Sequence, residues 1–589
     1  MADLLIKGGT IVDGTGGKPF VGDIALQGGR ISEVGRRLAE SAARVIDASG
    51  LLVTPGFVDI HTHYDGQVTW DDQLDPSVSH GVTSLVMGNC GVGFAPVRSG
   101  KEDELINLME GVEDIPGAAL SEGIQWSWNT FPEYLEALSR RHYAVDVGAQ
   151  IPHGAIRPYV MGERGFLNQR ASDDEVAQMS HLVEEAVKSG ALGVSTSRSE
   201  AHESITGEAV PGTFAEQREL LALAEGLQRG GGGVFQAIPT LMDGYEKPGL
   251  AFERTTTSRE VEMLGEVSRA TGCTITYLLL QNSRWPEGWR EALAVSDAAN
   301  RSGAKLVPQV GGRPIGTLIY LAGYHLFRRR PTYMSLETLP IRERAARMRD
   351  PQIKRAILSE PDLPPASGSM LDNMHLILAQ FLDAAYPLSR TLNYDPGPDG
   401  SIAAIAKRKG ISPFECFYDE LLEEQGNAFI VFYVLGYQQR NYCPLHAMLT
   451  HPGSVLGLGD GGAHTRFTCD ASVQTFMLSH WARRPAEDLR LDVEFVVKKQ
   501  TSEPAALYGL RDRGTLSPGM RADINLIDFE KLRLLKPQLR HDLPAGGTRI
   551  LQPADGYLAT FLGGVQTRAE GRDTGARPGG LIRRNSISA

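Results

Sequence analysis

The stretch that most constrains this chain is Pro55-Gly56-Phe57-Val58-Asp59-Ile60-His61-Thr62-His63-Tyr64-Asp65. It reads as a short buried strand that stops on two histidines. Side chains alternate along a strand, so His61 and His63 point to one side with Thr62 opposite. Two neutral imidazoles on one side can share a metal of the zinc type, and the aspartates around the pair can move protons or hold the ring tautomers. A His-x-His in a solvated loop is the bland alternative. The Pro-Gly entry and the apolar run that ends in the pair argue against it.

With these residues in view, the chain resembles the amidohydrolase superfamily, whose first barrel strand ends in such a pair. Within it the likeness is to D-aminoacylases (N-acyl-D-amino-acid deacylases). The likeness extends over nearly the whole chain, apart from about 321–439.

Bulk properties agree with small-molecule chemistry. The chain has 589 residues, enough for two or three units including one long α/β barrel. A net charge of -12 argues against nucleic acid or an anionic membrane as the main partner. Five cysteines with no C-x-x-C pair suit a reducing compartment. No leader or membrane-spanning run is legible, so a soluble cytoplasmic protein is expected. The subunit count stays open, a homo-oligomer included.

Short β-like runs between glycine turns fill residues 3–54, and the same rhythm returns in Gly514 to Asp528 and Tyr557 to Gln566. The two ends are expected to meet in one β-sandwich domain, 1–55 with 508–575. Between them strand-like and helix-like segments alternate, which suggests a (β/α)8 TIM-like barrel over 56–507 with its site at the C-terminal strand ends. Candidate strands begin near Gly56, Thr83, Val145, Gly193, Gly233, Thr274, Lys305 and Val455. The segment 315–442 is too long for a loop and reads as a mostly helical insertion before the last strand, roofing the site.

The resemblance assigns roles at the strand ends. In Gly88-Asn89-Cys90-Gly91, Cys90 matches a metal-ligating cysteine, the alternative being a buried packing cysteine. Pro152-His153-Gly154 places His153 in the pocket, where substrate contact competes with a purely backbone-satisfied ring. Gly193-Val194-Ser195-Thr196-Ser197 holds no lysine, unlike hydantoinases, dihydroorotases and ureases, whose carbamylated lysine bridges two metals. Asp460, in Gly459-Asp460-Gly461-Gly462-Ala463-His464, matches the aspartate that ligates metal and takes the proton of the attacking water. Aminoacylases also carry a histidine at the end of each of the next two strands, but here Ile238 and Leu279 or Leu280 occupy those places, with Gln236 and Gln281 nearby. Amides are poor zinc ligands.

The expectation is therefore a metal-dependent hydrolase of a carbon–nitrogen bond, acting on an N-acyl amino acid or related amide. His61, His63, Cys90 and Asp460 hold one zinc ion, the second metal position lacking ligands, and Asp460 is the general base and acid. Asp65, His153, His202, Gln236, Gln281 and His464 are candidate substrate contacts. The rivals are a cyclic-amide hydrolase, disfavoured by the missing lysine, and a non-catalytic barrel that binds a small molecule.

Overall fold

A computed structural model describes residues 1–39, 41–241, 255–364, 373–388, 392–484 and 489–584. Five strands come first: β1 (Ala2–Ile11), β2 (Phe20–Gln27), β3 (Arg30–Gly35), β4 (Ala42–Asp47) and β5 (Leu52–Pro55). The next seven are β6 (Phe57–Asp59), β7 (Val82–Met87), β8 (Asp146–Pro152), β9 (Gly193–Ser197), β10 (Val234–Ile238), β11 (Thr274–Leu278) and β12 (Leu306–Gly311). After β13 (Ile315–Ile319), β14 (Ala385–Pro387) and β15 (Ile430–Leu435) comes β16 (Val455–Gly457).

Strands β6 to β12 and β16 form one all-parallel sheet in the order β16-β12-β11-β10-β9-β8-β7-β6. The sheet closes through its ligand-bearing ends. Thr62 bridges Gly461 in parallel, Asp460 N donates to His61 O (2.9 Å) and His63 N donates to Gly461 O (2.8 Å). The hydrogen bonds that seal this barrel thus set the His pair beside Asp460. Its interior floor is an apolar layer including Val58, Val86, Leu192, Val234 and Val455.

Crossover helices follow from the sequence period. Ser172 and Glu175 form a reciprocal capping box that starts the helix Asp173–Lys188, whose apolar stripe of Val176, Met179, Val183 and Val187 is buried.

The two chain ends share one nine-stranded sheet. β17 (Ile524–Ile527) pairs with β5 and with β18 (Tyr557–Leu562), which leads to β19 (Val565–Ala569) and β20 (Arg572–Asp573). One apolar cluster joins Leu4, Ile24, Leu26 and Val53 to Ile524, Leu526 and Phe561. β1 pairs with β2, β4 and β5, and its register shifts between Ile6 and Gly9, so β1 is one strand with an irregularity at its middle. The last described residues return to the barrel: Leu581 bridges Val147, Ile582 N donates to Val147 O (2.7 Å) and Arg584 N to Gly190 O (3.1 Å). This tail fills the gap between β8 and β9 below Gln150, where their own pairing begins.

The segment between β12 and β16 carries its own apolar core and a three-stranded sheet, β13-β15-β14, beside helices such as Ile341–Met348, Met374–Gln380 and Pro413–Leu421. Residues 365–372 and 389–391 of this segment lie outside those described. It packs on the loops at the C-terminal strand ends: Tyr320 Oη donates to Arg466 O (2.9 Å) and Gly436 N to Gln281 O (3.0 Å). No helix among the described residues is long and apolar enough to cross a membrane.

Candidate active site

His61, His63, Cys90 and Asp460 converge at the barrel seam. Cys90 Sγ lies 3.3 Å from His61 Nε2 and 3.7 Å from His63 Nε2. Asp460 Oδ1 lies 3.5 Å from His61 Nε2 and 3.8 Å from His63 Nε2. All four residues are buried. Bonds of about 2.0 Å to nitrogen or oxygen and 2.3 Å to sulfur place the donors of a tetrahedral zinc about 3.3–3.6 Å apart. These four separations lie within a few tenths of an ångström of such edges, and His61, His63 and Cys90 bring their donor atoms within 4.8 Å of one another, so these three fit such an ion in chemistry and spacing while Asp460 approaches it from the side of the two imidazoles.

Backbone geometry explains why these residues sit so close. Cys90 has φ of 56° and Asp460 of 46°, left-handed conformations that side-chain-bearing residues adopt rarely and that cluster at functional sites. Gly88 and Gly91 frame Cys90. A Cβ on Gly88 would meet Gln150 O at 2.3 Å, and one on Gly91 would meet Ser197 N at 2.8 Å, so only glycine lets this loop dip toward the metal position.

Electrostatics point the same way. Burial pushes the His61 ring down to about 4, and pushes His63 well below its ordinary value with further help from neighbouring imidazoles. Burial drives the Asp460 carboxyl well up, with the charges of Asp470 and Asp59 adding to the effect. It drives the Cys90 thiol well up too, beside Glu113, Asp460 and Asp65. Neutral imidazoles are ready ligands, and a bound cation reverses the penalty on the thiolate and carboxylate.

The remaining residues divide. His202 is held through Nδ1 by Ser197 Oγ (2.9 Å), and burial and His61 lower its pKa to about 4. His464 faces Glu113 and keeps 26% of its side chain exposed. Gln236 accepts from Cys90 N through Oε1 (3.1 Å), and its Nε2 has no partner among the described residues. Three other candidate substrate contacts are engaged by protein partners. Asp65 is buried and accepts from Gly88 N (3.2 Å), which braces the Cys90 loop. His153 spends Nδ1 on Thr196 Oγ1 (2.9 Å) and Nε2 on Glu219 (2.8 Å), leaving no ring nitrogen for a substrate. Gln281 uses Oε1 on Gln438 N (3.2 Å) and Nε2 on Pro286 O (3.3 Å), tying the insertion to the barrel.

Gln309 and Glu113 escaped the sequence reading, which held Asp59 only as one of the aspartates around the His pair. Gln309 Oε1 sits 2.5 Å from His61 Nδ1 and orients that ring. Asp59 accepts from His61 N (3.2 Å). Glu113, the last residue of α1 (Glu102–Glu113), lies 3.4 Å from His63 Nδ1. Glu113 had a legible signal, because it continues the buried series Leu105, Met109 at a spacing of four on the apolar face.

The model of the amidohydrolase family matches residues 44–568, most of the chain. The chain belongs to the amidohydrolase family. Within the family this amidohydrolase is similar to a D-aminoacylase of Alcaligenes xylosoxydans xylosoxydans, at 36% identity over 195 residues, 33% of this chain and 37% of that protein. The match thus spans little more than a third of that relative. An N-acyl-D-glutamate deacylase of the same organism is 26% identical over 532 residues, 90% of this chain and 88% of its own. The solved N-acyl-D-glutamate deacylase of Bordetella bronchiseptica, complexed with zinc and a phosphonate inhibitor, superposes with a TM-score of 0.61 at 22% identity, covering 99% of both chains. That structure supports the barrel fold of this amidohydrolase.

Proposed function

We propose that this amidohydrolase is a metal-dependent hydrolase of N-acyl amino acids or related linear amides, working with one zinc ion held by His61, His63, Cys90 and Asp460. The mutual closeness of the His61, His63 and Cys90 donor atoms, with Asp460 Oδ1 within 3.8 Å of both imidazoles, carries the reading. When bound, zinc supplies Lewis acidity that makes water acidic near neutral pH and polarises an amide carbonyl. Asp460 turns Oδ1 toward the two imidazoles and takes the proton of the attacking water on its other oxygen. Oxygen bonds to the carbonyl carbon, the carbon–nitrogen bond breaks, and Asp460 returns the proton to the departing nitrogen. His202 and His464 border the reacting centre, and the unpartnered Gln236 amide is placed to donate a hydrogen bond beside Cys90. The likeness to deacylases of N-acyl-D-amino acids favours linear substrates, and the absence of lysine from β9 disfavours cyclic amides. All five cysteines are free, as a reducing cytoplasm allows.

The test is a panel of N-acyl D- and L-amino acids, longer amides and cyclic amides, run on chelator-stripped protein with and without added zinc. Zinc-dependent release of amine from the linear substrates is expected. Failure to bind zinc and to cleave any member would leave the chain a non-catalytic barrel.

A further inference from the structure

Glu113 is a carboxylate between two imidazoles. Oε1 lies 3.4 Å from His63 Nδ1 and Oε2 lies 3.5 Å from His464 Nε2. Only 1% of its side chain is exposed, and neither Oε1 nor His63 Nδ1 has any other hydrogen-bond partner among the described residues. Two buried, unpartnered polar atoms that face each other at this distance satisfy one another with a small rotation, and nothing else in reach satisfies either.

The placement of Glu113 is built into the fold. Asp114, in the left-handed conformation, ends α1 by donating its N–H to Glu110 O (3.1 Å). The loop after β16 then clamps this corner. His464 N donates to Glu113 O, Thr465 Oγ1 donates to Asp114 O (2.9 Å), and Arg466 donates its N–H (3.2 Å) and its guanidinium to the Asp114 carboxylate. On the other side Gly111 meets the loop that carries His202; a Cβ there would lie 2.3 Å from Glu203 O. The end of α1 is therefore locked against both histidine-bearing loops.

We propose that Glu113 is a positioning residue that accepts the Nδ1 proton of His63, fixes that ring in the tautomer whose Nε2 is free for metal, and holds His464 in place through its second oxygen. It parallels what Gln309 does for His61 Nδ1. A carboxylate on the outer nitrogen also makes the ligating nitrogen more basic, and such partners are worth 10–100-fold in metal affinity. The inference rests on the metal reading of His63.

The test is zinc affinity of the full-length apoprotein, measured by competition with a chromophoric chelator, together with the visible spectrum of the cobalt-substituted protein. His63→Ala examines the underlying reading: wild-type affinity there would remove the metal site itself. Given loss of metal in H63A, Glu113→Leu is expected to weaken zinc by about 10–100-fold and to shift the cobalt bands. Glu113→Gln, whose carbonyl oxygen can still accept from Nδ1, should keep more affinity than Glu113→Leu. If the leucine variant does not fold, Glu113→Asp takes its place, because the shorter side chain keeps the charge but withdraws it from both rings. Wild-type affinity and an unchanged spectrum in these variants, with H63A metal-free, would overturn the role of Glu113 and leave the metal site standing.

Discussion

Asp460 is given two jobs, ligand through Oδ1 and proton acceptor, and a single substitution separates them. Asparagine keeps a coordinating oxygen but cannot take a proton, so Asp460→Asn should retain zinc while kcat falls by at least about a hundredfold. A fall of less than about tenfold would move the base elsewhere, His202 and His464 first. His61→Ala or His63→Ala should instead lose the metal and all turnover with the fold intact, since both rings serve ligation at a strand end; elemental analysis and circular dichroism check the two halves. At this scale the meeting of the four proposed ligands was legible because order along the chain and glycine framing mark them. The supporting residues were not. Whether Asp65 or His153 meets a substrate depends on partners far away in sequence, Gly88 and Glu219, that only the folded barrel brings within reach.

Elements were easier to read than contacts. All eight barrel strands lie where the sequence puts them, most because a buried parallel strand leaves a continuous hydrophobic trace, whereas β9, Gly193 to Ser197, has a single large apolar residue. β4 left no such trace: most of its residues are exposed, so nothing in its composition separates it from a loop. The β13-β15-β14 sheet was hidden in a segment whose helices dominate the pattern, although Phe429 to Tyr437 is the longest apolar run in the chain. The helix after β9 (Gln217–Arg229) brings Glu219 under His153 and Arg157, and that corner makes a stability prediction. Burial alone would raise the Glu219 pKa, but the hydrogen bonds and charges of His153 and Arg157 outweigh it and hold the carboxyl near 2 against an ordinary 4.5. A folded-state pKa below the unfolded one stabilises above the unfolded value and is lost as pH falls through the folded value. Glu219→Gln should therefore cost about 3 kcal/mol at pH 7, and the gap to wild type should close between about pH 4.5 and 2 in urea titrations. A gap that does not narrow with acid would mean the ion pair is not its source. The tail gives a second prediction. Deleting residues 576–589 removes the tail that bonds to Val147 and Gly190 and leaves those backbone groups unpaired, so Tm should drop by several degrees.

For the molecule as a whole, the closing of the barrel and the count of metal ions are one problem. The seam between β6 and β16 is sealed by the backbone of residues 61–63 and 460–461, which places one set of donors at one point. A second ion would need ligands from the far wall, at the ends of β10 and β11. Ile238 and Leu279 stand there, both fully buried and without donor atoms, and the adjacent glutamines are turned to protein partners through Oε1. Among the described residues, His61, His63 and Cys90 form the one group of three or more metal-ligating side chains whose donor atoms lie within 4.8 Å of one another. His202, His464 and Glu113 lie close by, but Glu113 already faces His63 and His464, and Ser197 holds His202. Zinc sites that hold their ion tightly have three or four protein ligands, a number the seam supplies once. The protein purified and dialysed against metal-free buffer should accordingly carry one zinc per chain, and added zinc should bind further only with much weaker affinity. Calorimetric titration of the apoprotein reads both numbers. Two stoichiometric tight sites in wild type that fall to one in His202→Ala or His464→Ala would show that these rings bind a second ion, and would move them out of the substrate's side of the site.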